Sequence, residues 1–282
     1  MTRAKRIFPT PRPFLKWVGG KGQLLEHLMN AIDRAGDFGR YHEPFVGGGA
    51  LFFALWRAKR LGRPHAYLSD GNLNLVETYQ GVKENVDEVI ALLRDHTKRH
   101  SEAYFYAMRA EVPDSVTARA ARIIYLNKTC FNGLYRENSK GLFNTPFGRY
   151  KNPVICDEKN LRAASDALRH ANIEARSFEV VLDHAKKGDL VYFDPPYLPV
   201  SKTSNFTAYA KDGFGMVGQE RLAEVFAKLD RRGVKVMLSN SDAPPIRALY
   251  ENFALQDILA TRAVNSRGDR RGKVSELLVT NF

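Results

Sequence analysis

The chain has 282 residues, and 44% of them are hydrophobic, including 17 Phe and 12 Tyr. This composition can fill a sizeable core and excludes a mainly disordered protein, and the length suits one large domain or one domain that carries an insertion. Lys and Arg number 43 against 31 Asp and Glu, so the formal net charge is +12.

The positive charge is concentrated in three segments. Residues 1–22 carry +6, residues 128–151 carry +4 and residues 262–273 carry +4, whereas all other residues together carry −2. Three basic segments on a nearly neutral body favour a polyanion such as nucleic acid as the partner. The alternative is charge that serves solubility alone.

The sequence lacks the features of membrane-spanning and secreted proteins. Its most apolar stretch, residues 44–56, has 13 uncharged residues and three glycines, whereas a spanning helix needs about 20 apolar residues. The basic N-terminus has no apolar segment of the secretory type. Cys130 and Cys156 form no CxxC pair. We therefore expect a reducing, cytoplasmic location without a disulfide scaffold or cysteine-rich zinc module.

The first elements predict an α/β unit. After a loose basic tail over residues 1–13, residues 41–46 read as a strand, residues 47–49 are three glycines, and a helix is predicted over about 50–60. A second strand over 65–69 ends at Asp70. This order of strand, glycine loop, helix, strand and acid is typical of nucleotide-binding α/β proteins.

The middle of the chain has a different character. Residues 73–124 show apolar positions at helical spacing, and residues 125–153 are rich in Asn, Gly and aromatics, which favours a structured loop or hairpin. Alternating strands and helices return towards the C-terminus. We therefore predict an α/β domain over 14–72 and 166–282, interrupted by a mainly helical insertion over 73–165.

The sequence DPPY at residues 194–197 directly follows an apolar strand over 190–193. Ligands of open α/β sheets bind beyond the carboxyl ends of the strands. Two prolines have no N–H groups, so the segment can offer carbonyl acceptors beside a carboxylate, which suits an amino group with two N–H donors. Tyr197 can supply a flat face for a base. The alternative is a surface turn with a helix-capping Asp194.

The glycine loop and Asp70 predict a ribose-containing ligand. Asp70 lies 23 residues after Gly47 at the end of the next strand, where an acid can bind ribose hydroxyls. The GxGxxG pattern is incomplete because position 52 is Phe, so a nucleoside cofactor without a pyrophosphate fits better. A glycine turn with a solvated Asp70 is the alternative.

The segment FLKWVGGKG from residue 14 is not a Walker phosphate loop, because Leu15 and Gly22 stand where Gly and Ser or Thr are required. It predicts a tight turn that joins two lysines and Trp17, which could pack on an aromatic cofactor and a phosphate backbone. His96 and His100 have a spacing that can bind zinc, but without further ligands a solvated helix face is the favoured interpretation.

Six motifs in this order resemble those of the alpha-class DNA adenine-N6 methyltransferases, the Dam and DpnM-like family. They are FLKWVGGK, EPFVGGGA, the acid of LSDGN, FNGLYREN with FNTPFGRYK, DPPY with SNFTAY, and the SN-D of LSNSD. The resemblance covers the chain from Phe14 to about Leu278. It implies a Rossmann-like S-adenosylmethionine-dependent methyltransferase fold, with the insertion as a target-recognition domain that contains a β-hairpin.

The resemblance also implies the cofactor and the catalytic groups. S-adenosylmethionine would be bound by Trp17, Lys21, Glu43, Phe45, Gly47, Gly49, Asp70 and Asp194. Asp70 would bind the ribose hydroxyls, and residues 45–49 would line the methionine end. The catalytic residues would be Asp194, Pro195, Pro196 and Tyr197. Asp194 and the Pro195 carbonyl would accept hydrogen bonds from the adenine amino group during direct in-line transfer, Tyr197 would stack on the flipped base, and the loop 198–214 would close over it.

The DNA contacts implied by the resemblance are Lys16, Phe131, Asn132, Leu134, Arg136 and Pro146. Phe131 would wedge into the base stack with Asn132 beside it, and the other hairpin residues would read the target, since Arg is the commonest reader of guanine. Lys16 would read the first guanine. The implied target is GATC in double-stranded DNA, with no metal or membrane. The sequence leaves open whether the enzyme is solitary or has a restriction endonuclease as a functional partner.

Two other functions are compatible with parts of the sequence. DPPY also occurs in methyltransferases that act on adenine in ribosomal RNA, although those are usually shorter and lack the FNGLYR insertion. A non-catalytic DNA-binding module is the second alternative, against which the intact DPPY, Lys21 and Asp70 argue.

Overall fold

The computed structural model describes residues 10–62, 66–138, 140–198, 214–261 and 273–282. The chain divides into two units: Met1–Gly20, Gly47–Arg63 and Asn72–Ala175 form the first, and Lys21–Val46, Pro64–Gly71 and Arg176–Phe282 form the second. The domains predicted from the sequence, 14–72 with 166–282 and 73–165, stay a prediction, because contacts within the chain do not reveal which residues read a target.

The described residues contain seven strands: β1 (Tyr41–Glu43), β2 (Ala66–Asp70), β3 (Ala171–Ala175), β4 (Leu190–Phe193), β5 (Lys235–Ser241), β6 (Ala254–Thr261) and β7 (Lys273–Thr280). The helices of the same ranges are α1 (Leu25–Ala35), α2 (Ala50–Arg57), α3 (Leu73–Glu84), α4 (Val86–Arg99), α5 (Glu102–Ala110), α6 (Val116–Thr129), α7 (Glu158–Leu168), α8 (Val181–His184), α9 (Met216–Arg231) and α10 (Pro244–Leu249). None of these helices combines the length and apolarity needed to cross a membrane.

Six of the strands belong to the second unit, in the order β2-β1-β4-β5-β7-β6, and β3 belongs to the first unit. The strands β2, β1, β4 and β5 run parallel, whereas β7 is antiparallel to both β5 and β6. Parallel sheets are covered on both faces, and every residue of β1 and β4 is buried. The predicted α/β fold class is confirmed.

The helix α9 covers part of this sheet with one apolar face. Leu222, Val225, Phe226 and Leu229 recur at helical spacing, are buried, and share a core with residues of β4, β5 and β7. Apolar residues at this spacing line one side of a helix.

The helices α3 and α6 approach closely in the first unit. A Cβ added to Gly81 of α3 would lie only 2.6 Å from the Ala120 Cβ of α6. The Glu77 carboxylate of α3 accepts two hydrogen bonds, of 2.7 and 2.8 Å, from the Arg119 guanidinium of α6. Small residues and one bidentate ion pair therefore join the two helices.

The helix α6 ends later than the sequence indicated. Its first turn is capped by the Ser115 hydroxyl, which accepts a hydrogen bond from the Ala118 N–H. It then continues through Thr129, so residues 125–129 of the predicted loop are helical. Consecutive residues from Ala120 to Asn127 are all buried, and a helix that is covered on every side has no amphipathic pattern to reveal its end. Beyond it, antiparallel bridges pair Cys130 with Phe147 and Glu137 with Phe143 and form the predicted hairpin.

Candidate functional site

Three acidic residues stand at the carboxyl ends of neighbouring parallel strands in the second unit. Asp70 ends β2, Glu43 ends β1, and Asp194 directly follows β4. Adjacent parallel strands present their carboxyl ends at one edge of the sheet, and ligands of open α/β sheets bind at that edge. The fold therefore gathers at one edge the acids that the sequence analysis assigned to cofactor binding and catalysis.

Asp194 is paired with a buried lysine. The Lys21 Nζ lies 2.8 Å from Asp194 Oδ1 and 4.0 Å from Glu276 Oε2, and the Lys21 side chain is only 7% exposed. Burial raises the pKa of Asp194 to about 6; the Lys21 charge opposes this rise and the Glu276 charge adds to it. At neutral pH Asp194 is therefore mainly a carboxylate that can accept hydrogen bonds.

Tyr197 is anchored by its hydroxyl group. It donates a hydrogen bond of 2.6 Å to Glu276 Oε2, and the Lys21 Nζ lies 4.5 Å from the centroid of its ring. Burial raises the pKa of Tyr197 well above its ordinary value, and the Asp194 and Glu276 charges add to the rise, so the hydroxyl stays a donor. Glu276 was not among the predicted site residues, although an acid inside the apolar run SELLV marks it in the sequence.

The carbonyl of Pro196 also has a partner that the sequence analysis did not identify. It accepts a hydrogen bond of 3.0 Å from Nε2 of Gln219, a buried residue of α9. The residues 194–197 are therefore held by three different elements of the second unit: the turn at Lys21, the helix α9 and the strand β7.

The other predicted cofactor residues of this unit have defined surroundings. Glu43 is buried and accepts a hydrogen bond of 2.9 Å from the Tyr41 hydroxyl. The Phe45 ring stacks on Phe178 with 5.4 Å between centroids, so this ring serves the core of the unit. Asp70 is partly exposed at the end of its strand.

In the first unit, Gly47 and Gly49 occupy positions that a side chain would disturb. Their φ angles are +46° and +65°, conformations that other residues rarely adopt. A Cβ at Gly47 would lie 2.9 Å from Trp17 Cδ1, and a Cβ at Gly49 would lie 2.9 Å from the Tyr79 hydroxyl oxygen. This glycine loop thus permits the close approach of two aromatic side chains.

Trp17 stacks on a residue of the hairpin. Its ring lies 4.7 Å from that of Tyr135, with 28° between the ring planes. The Tyr135 hydroxyl donates to the Glu137 carboxylate, which also accepts a hydrogen bond of 2.9 Å from Asn74 Nδ2. The predicted turn after Trp17 is present, since its carbonyl accepts a 3.1 Å hydrogen bond from the Gly20 N–H.

Lys16 is tied to the hairpin through the buried side chain of Asn127. Asn127 Oδ1 accepts a hydrogen bond of 2.8 Å from the Lys16 N–H, and its Nδ2 donates to the Lys16 and Gly133 carbonyls. A Cβ at Gly133 would lie 2.3 Å from Lys16 Cδ, so the lysine side chain passes directly over this glycine. The structure therefore brings Lys16 beside the other predicted DNA-binding residues. Asn127 was not among the predicted residues, and the sequence analysis placed it in the loop over 125–153, whereas it lies inside α6.

Five of the predicted DNA-binding residues lie on the hairpin itself: Phe131, Asn132, Leu134, Arg136 and Pro146. Phe131 is 52% exposed, and its N–H donates to the Pro146 carbonyl at 2.9 Å. The exposed Arg136 guanidinium donates to the Asn144 carbonyl at 3.1 Å across the hairpin.

The interpretation of His96 as part of a solvated helix face was wrong. His96 is buried, its Nδ1 lies 2.7 Å from the Tyr104 hydroxyl, and its ring stacks on Tyr125 with 5.0 Å between centroids. His100 Nδ1 lies 3.1 Å from the Tyr125 hydroxyl. Burial lowers the pKa of both histidines. Within the part of the chain that the structure describes, no group of three His, Cys, Asp or Glu residues is placed to hold a metal.

Three sequence-based predictions concern residues outside the described ranges. The closing loop 198–214 falls on them except at its ends, because residues 199–213 are not described. Most of the basic segment 262–273 and most of the tail 1–13 are likewise outside, with residues 262–272 and 1–9 not described.

Comparison with known proteins identifies the family. The model for the D12 class of N6 adenine-specific DNA methyltransferases matches residues 17–264. The chain belongs to this family. The methyltransferase is 43% identical over 279 residues to the type II methyltransferase M1.LlaDCHI of Lactococcus lactis subsp. cremoris, a match that covers 96% of this chain and 95% of the relative.

Two further relatives extend the comparison. The type II methyltransferase M.MjaIII of Methanocaldococcus jannaschii is 41% identical over 288 residues, with 96% of this chain and 99% of the relative covered. The DNA adenine methylase of Escherichia coli strain K12 is 34% identical over 271 residues, with 95% and 94% covered. The family resemblance, the methyltransferase fold and the adenine-specific DNA methyltransferase activity predicted from the sequence are confirmed. Membership in this family implies the use of S-adenosylmethionine.

Proposed function

We propose that this methyltransferase transfers the methyl group of S-adenosylmethionine to the N6 amino group of adenine in the duplex sequence GATC, after the adenine has left the base stack. A base inside a duplex hides its amino group, so chemistry on that group requires extrusion of the base. The observation that carries the proposal is the DPPY segment, in which Asp194 follows β4 and lies 2.8 Å from the buried Lys21 ammonium.

Asp194 and its neighbours supply the hydrogen-bond acceptors that an amino group needs. The Lys21 ammonium occupies the position of a nitrogen donor at Asp194 Oδ1. We infer that the adenine amino group donates to this carboxylate and to the Pro195 carbonyl, while the ring of Tyr197 stacks on the base. Acceptors that are already oriented stabilise the positive charge that develops on nitrogen as it attacks the methyl carbon.

The residues at the carboxyl edge of the sheet are chemically suited to the cofactor. Carboxylates accept hydrogen bonds from hydroxyl groups and attract positive charge, and S-adenosylmethionine carries both. We propose that Asp70 binds the ribose hydroxyls and that the rest of the binding set consists of Trp17, Lys21, Glu43, Phe45, Gly47, Gly49 and Asp194. When bound, S-adenosylmethionine supplies an activated methyl group.

The hairpin is the proposed reader of the DNA sequence. Its exposed apolar Phe131 suits insertion between bases, with Asn132 beside it, and its exposed Arg136 suits guanine. We propose that Leu134 and Pro146 contact the remaining bases and that Lys16 contacts the first guanine. In this assignment residues 73–165 form the target-recognition domain, with the helices α3–α6 supporting the hairpin.

The names of the relatives support a restriction endonuclease as a functional partner. Two of them are type II methyltransferases, so we propose that a restriction endonuclease of the same specificity accompanies this enzyme. The partnership acts through the shared DNA site and requires no contact between the two proteins.

The proposal is tested by incubating the protein with labelled S-adenosylmethionine and a duplex that contains one GATC site. A GATC-free duplex, duplexes with single-base changes, and RNA of matched sequence serve as controls. We expect label only in GATC duplexes, on N6 of adenine, and none with Asp194→Asn. Equal labelling of the GATC-free duplex would overturn the specificity, and labelling of RNA alone would overturn the substrate class.

A further inference from the structure

The segment 194–197 contains two consecutive prolines, so its main chain has few hydrogen-bonding groups by which other elements can hold it. Neither Pro195 nor Pro196 has an N–H group, and only carbonyl oxygens remain as hydrogen-bonding groups of the two residues. The Pro196 carbonyl accepts a hydrogen bond of 3.0 Å from Gln219 Nε2. This contact fixes the orientation of the peptide unit that follows the Pro195 carbonyl.

Gln219 is in turn held by a second buried amide. Gln219 Oε1 accepts a hydrogen bond of 2.8 Å from Asn240 Nδ2, and Asn240 Oδ1 accepts one of 2.8 Å from the Ser241 N–H. Both side chains are completely buried. We call this chain of Ser241 N–H, Asn240, Gln219 and Pro196 carbonyl the amide relay. It links β5 and α9 to the DPPY segment within the second unit.

The direction of every hydrogen bond in the relay is determined by its two ends. A main-chain N–H can only donate and a main-chain carbonyl can only accept, so Asn240 must accept from Ser241 and Gln219 must donate to Pro196. Reversing either amide would place two oxygen acceptors or two nitrogen donors against each other. The amide relay therefore has only one arrangement in which every donor meets an acceptor. Such a network can hold the Pro196 carbonyl in one position.

We propose that Gln219 and Asn240 are positioning residues for methyl transfer, a proposal that rests on the function proposed above. They touch neither base nor cofactor in this assignment. They hold the Pro196 peptide so that the Pro195 carbonyl and the Asp194 carboxylate keep their direction towards the amino group. Loss of the relay misaligns the acceptors while the core, Lys21, Glu276 and the DNA-binding hairpin remain in place.

The test compares Gln219→Met with Val225→Ala. Methionine keeps the length of glutamine and removes its hydrogen bonds, whereas Val225 is a buried residue of the same helix outside the relay. We measure the single-turnover rate of methyl transfer at saturating GATC duplex and S-adenosylmethionine, the dissociation constants of both ligands, the thermal midpoint, and the fluorescence of 2-aminopurine at the target position.

For Gln219→Met we expect a transfer rate about 10- to 100-fold lower, the range for a misplaced reacting group. The dissociation constants should stay within twofold, and the 2-aminopurine signal should be unchanged because extrusion does not require the relay. Val225→Ala should lower the thermal midpoint at least as much and leave the transfer rate within threefold. Asn240→Leu should lower the rate similarly, and the double variant should lose no more than the worse single variant, because both residues act through one contact.

Three results would overturn the proposal: a normal transfer rate in folded Gln219→Met, a parallel loss of DNA or cofactor affinity, or an equal loss of rate in Val225→Ala. Failure of the proposed function has a different signature. In that case the wild-type protein itself does not methylate adenine in GATC, whereas failure of the relay requires an active wild type.

Discussion

The Lys21 ammonium lies 2.8 Å from one carboxylate oxygen of Asp194 and 4.0 Å from Glu276. One buried cation thus lies near two acids, and the charges of Lys21 and Glu276 act in opposite senses on the titration of Asp194. The Lys21 charge lowers the pKa of Asp194 and the Glu276 charge raises it, on top of the dominant effect of burial. The balance of these three effects determines the pH range in which Asp194 is an acceptor.

The first prediction concerns pH. In the proposed mechanism Asp194 must be deprotonated to accept the amino group, and its pKa is raised to about 6, so kcat/KM for duplex DNA at saturating cofactor should fall as the pH drops through about 6. Lys21→Met removes the charge that lowers the pKa and should move this acid limb to higher pH. Glu276→Gln removes the charge that raises it and should move the limb to lower pH. If the acid limb moved in the same direction in both variants, the opposing effects of the Lys21 and Glu276 charges on the pKa of Asp194 would be contradicted.

The second prediction separates catalysis from folding at Asp194. Both Asp194→Ala and Asp194→Asn should lose at least about 10²-fold in methyl-transfer rate, because an oriented acceptor is lost. Asp194→Ala also leaves the buried Lys21 ammonium with Glu276 at 4.0 Å and should destabilise the fold by about 3 kcal/mol. Asp194→Asn retains an oxygen for Lys21 and should be destabilised less. Thermal unfolding and initial rates measure the two effects; near-normal turnover of Asp194→Asn would refute the catalytic role.

The third prediction concerns the reading of the target by Arg136. Arg136→Ala should lose about 1–3 kcal/mol of discrimination at one base pair of GATC and little at the others. Phe131→Ala should slow methylation of cognate and near-cognate sites alike, because a wedge opens any duplex. Initial rates on GATC and its single-base variants distinguish the two patterns.

The exposed Arg149, which belongs to the same basic segment 128–151, is the matched control for Arg136. If it contacts a phosphate, Arg149→Ala should weaken all sequences equally and flatten the dependence of log affinity on log salt by about 0.9. The same uniform loss for Arg136→Ala would make that residue a backbone contact and move the reading of the sequence elsewhere.

The fourth prediction concerns the close approach of α3 and α6. Alanine in place of glycine inside a helix normally stabilises by about 0.5–1 kcal/mol. At Gly81, however, the new Cβ would lie 2.6 Å from the Ala120 Cβ, and the overpacking should lower the free energy of unfolding by about 1–3 kcal/mol. Adding Ala120→Gly should recover part of the loss. Denaturant unfolding of the two single variants and the double variant checks this; stabilisation by Gly81→Ala alone would contradict the packing.

Much of the fold could be predicted because the relevant patterns are local. Three parts of the chain follow from the composition of short continuous segments. They are the strand, glycine loop, helix and strand that lead to Asp70, the buried strand before Asp194, and the hairpin after α6. Apolar spacing, proline and glycine act through neighbours in the chain, so their effect can be read without knowing the rest of the structure.

The same reasoning failed where tertiary packing replaced local pattern. His96 was interpreted as a residue of a solvated face, but Tyr104 and Tyr125 cover it. The end of α6 was missed because the helix is buried on all sides. A sequence pattern is used to infer whether a side chain is exposed. In both cases the exposure of the side chains depended on which other elements of the fold pack against them.

The sequence by itself determined where the Asp194 carboxylate stands, at the end of a buried strand and before two prolines that leave carbonyl acceptors. Only the tertiary structure decided which groups hold it: Glu276 lies 79 residues after Tyr197, and Gln219 lies 23 residues after Pro196. A buried polar atom must find a partner, but that partner belongs to whichever element the chain folds against it. The local sequence therefore determines where the carboxylate and carbonyl acceptors lie. Long-range hydrogen bonds determine how these acceptors are oriented.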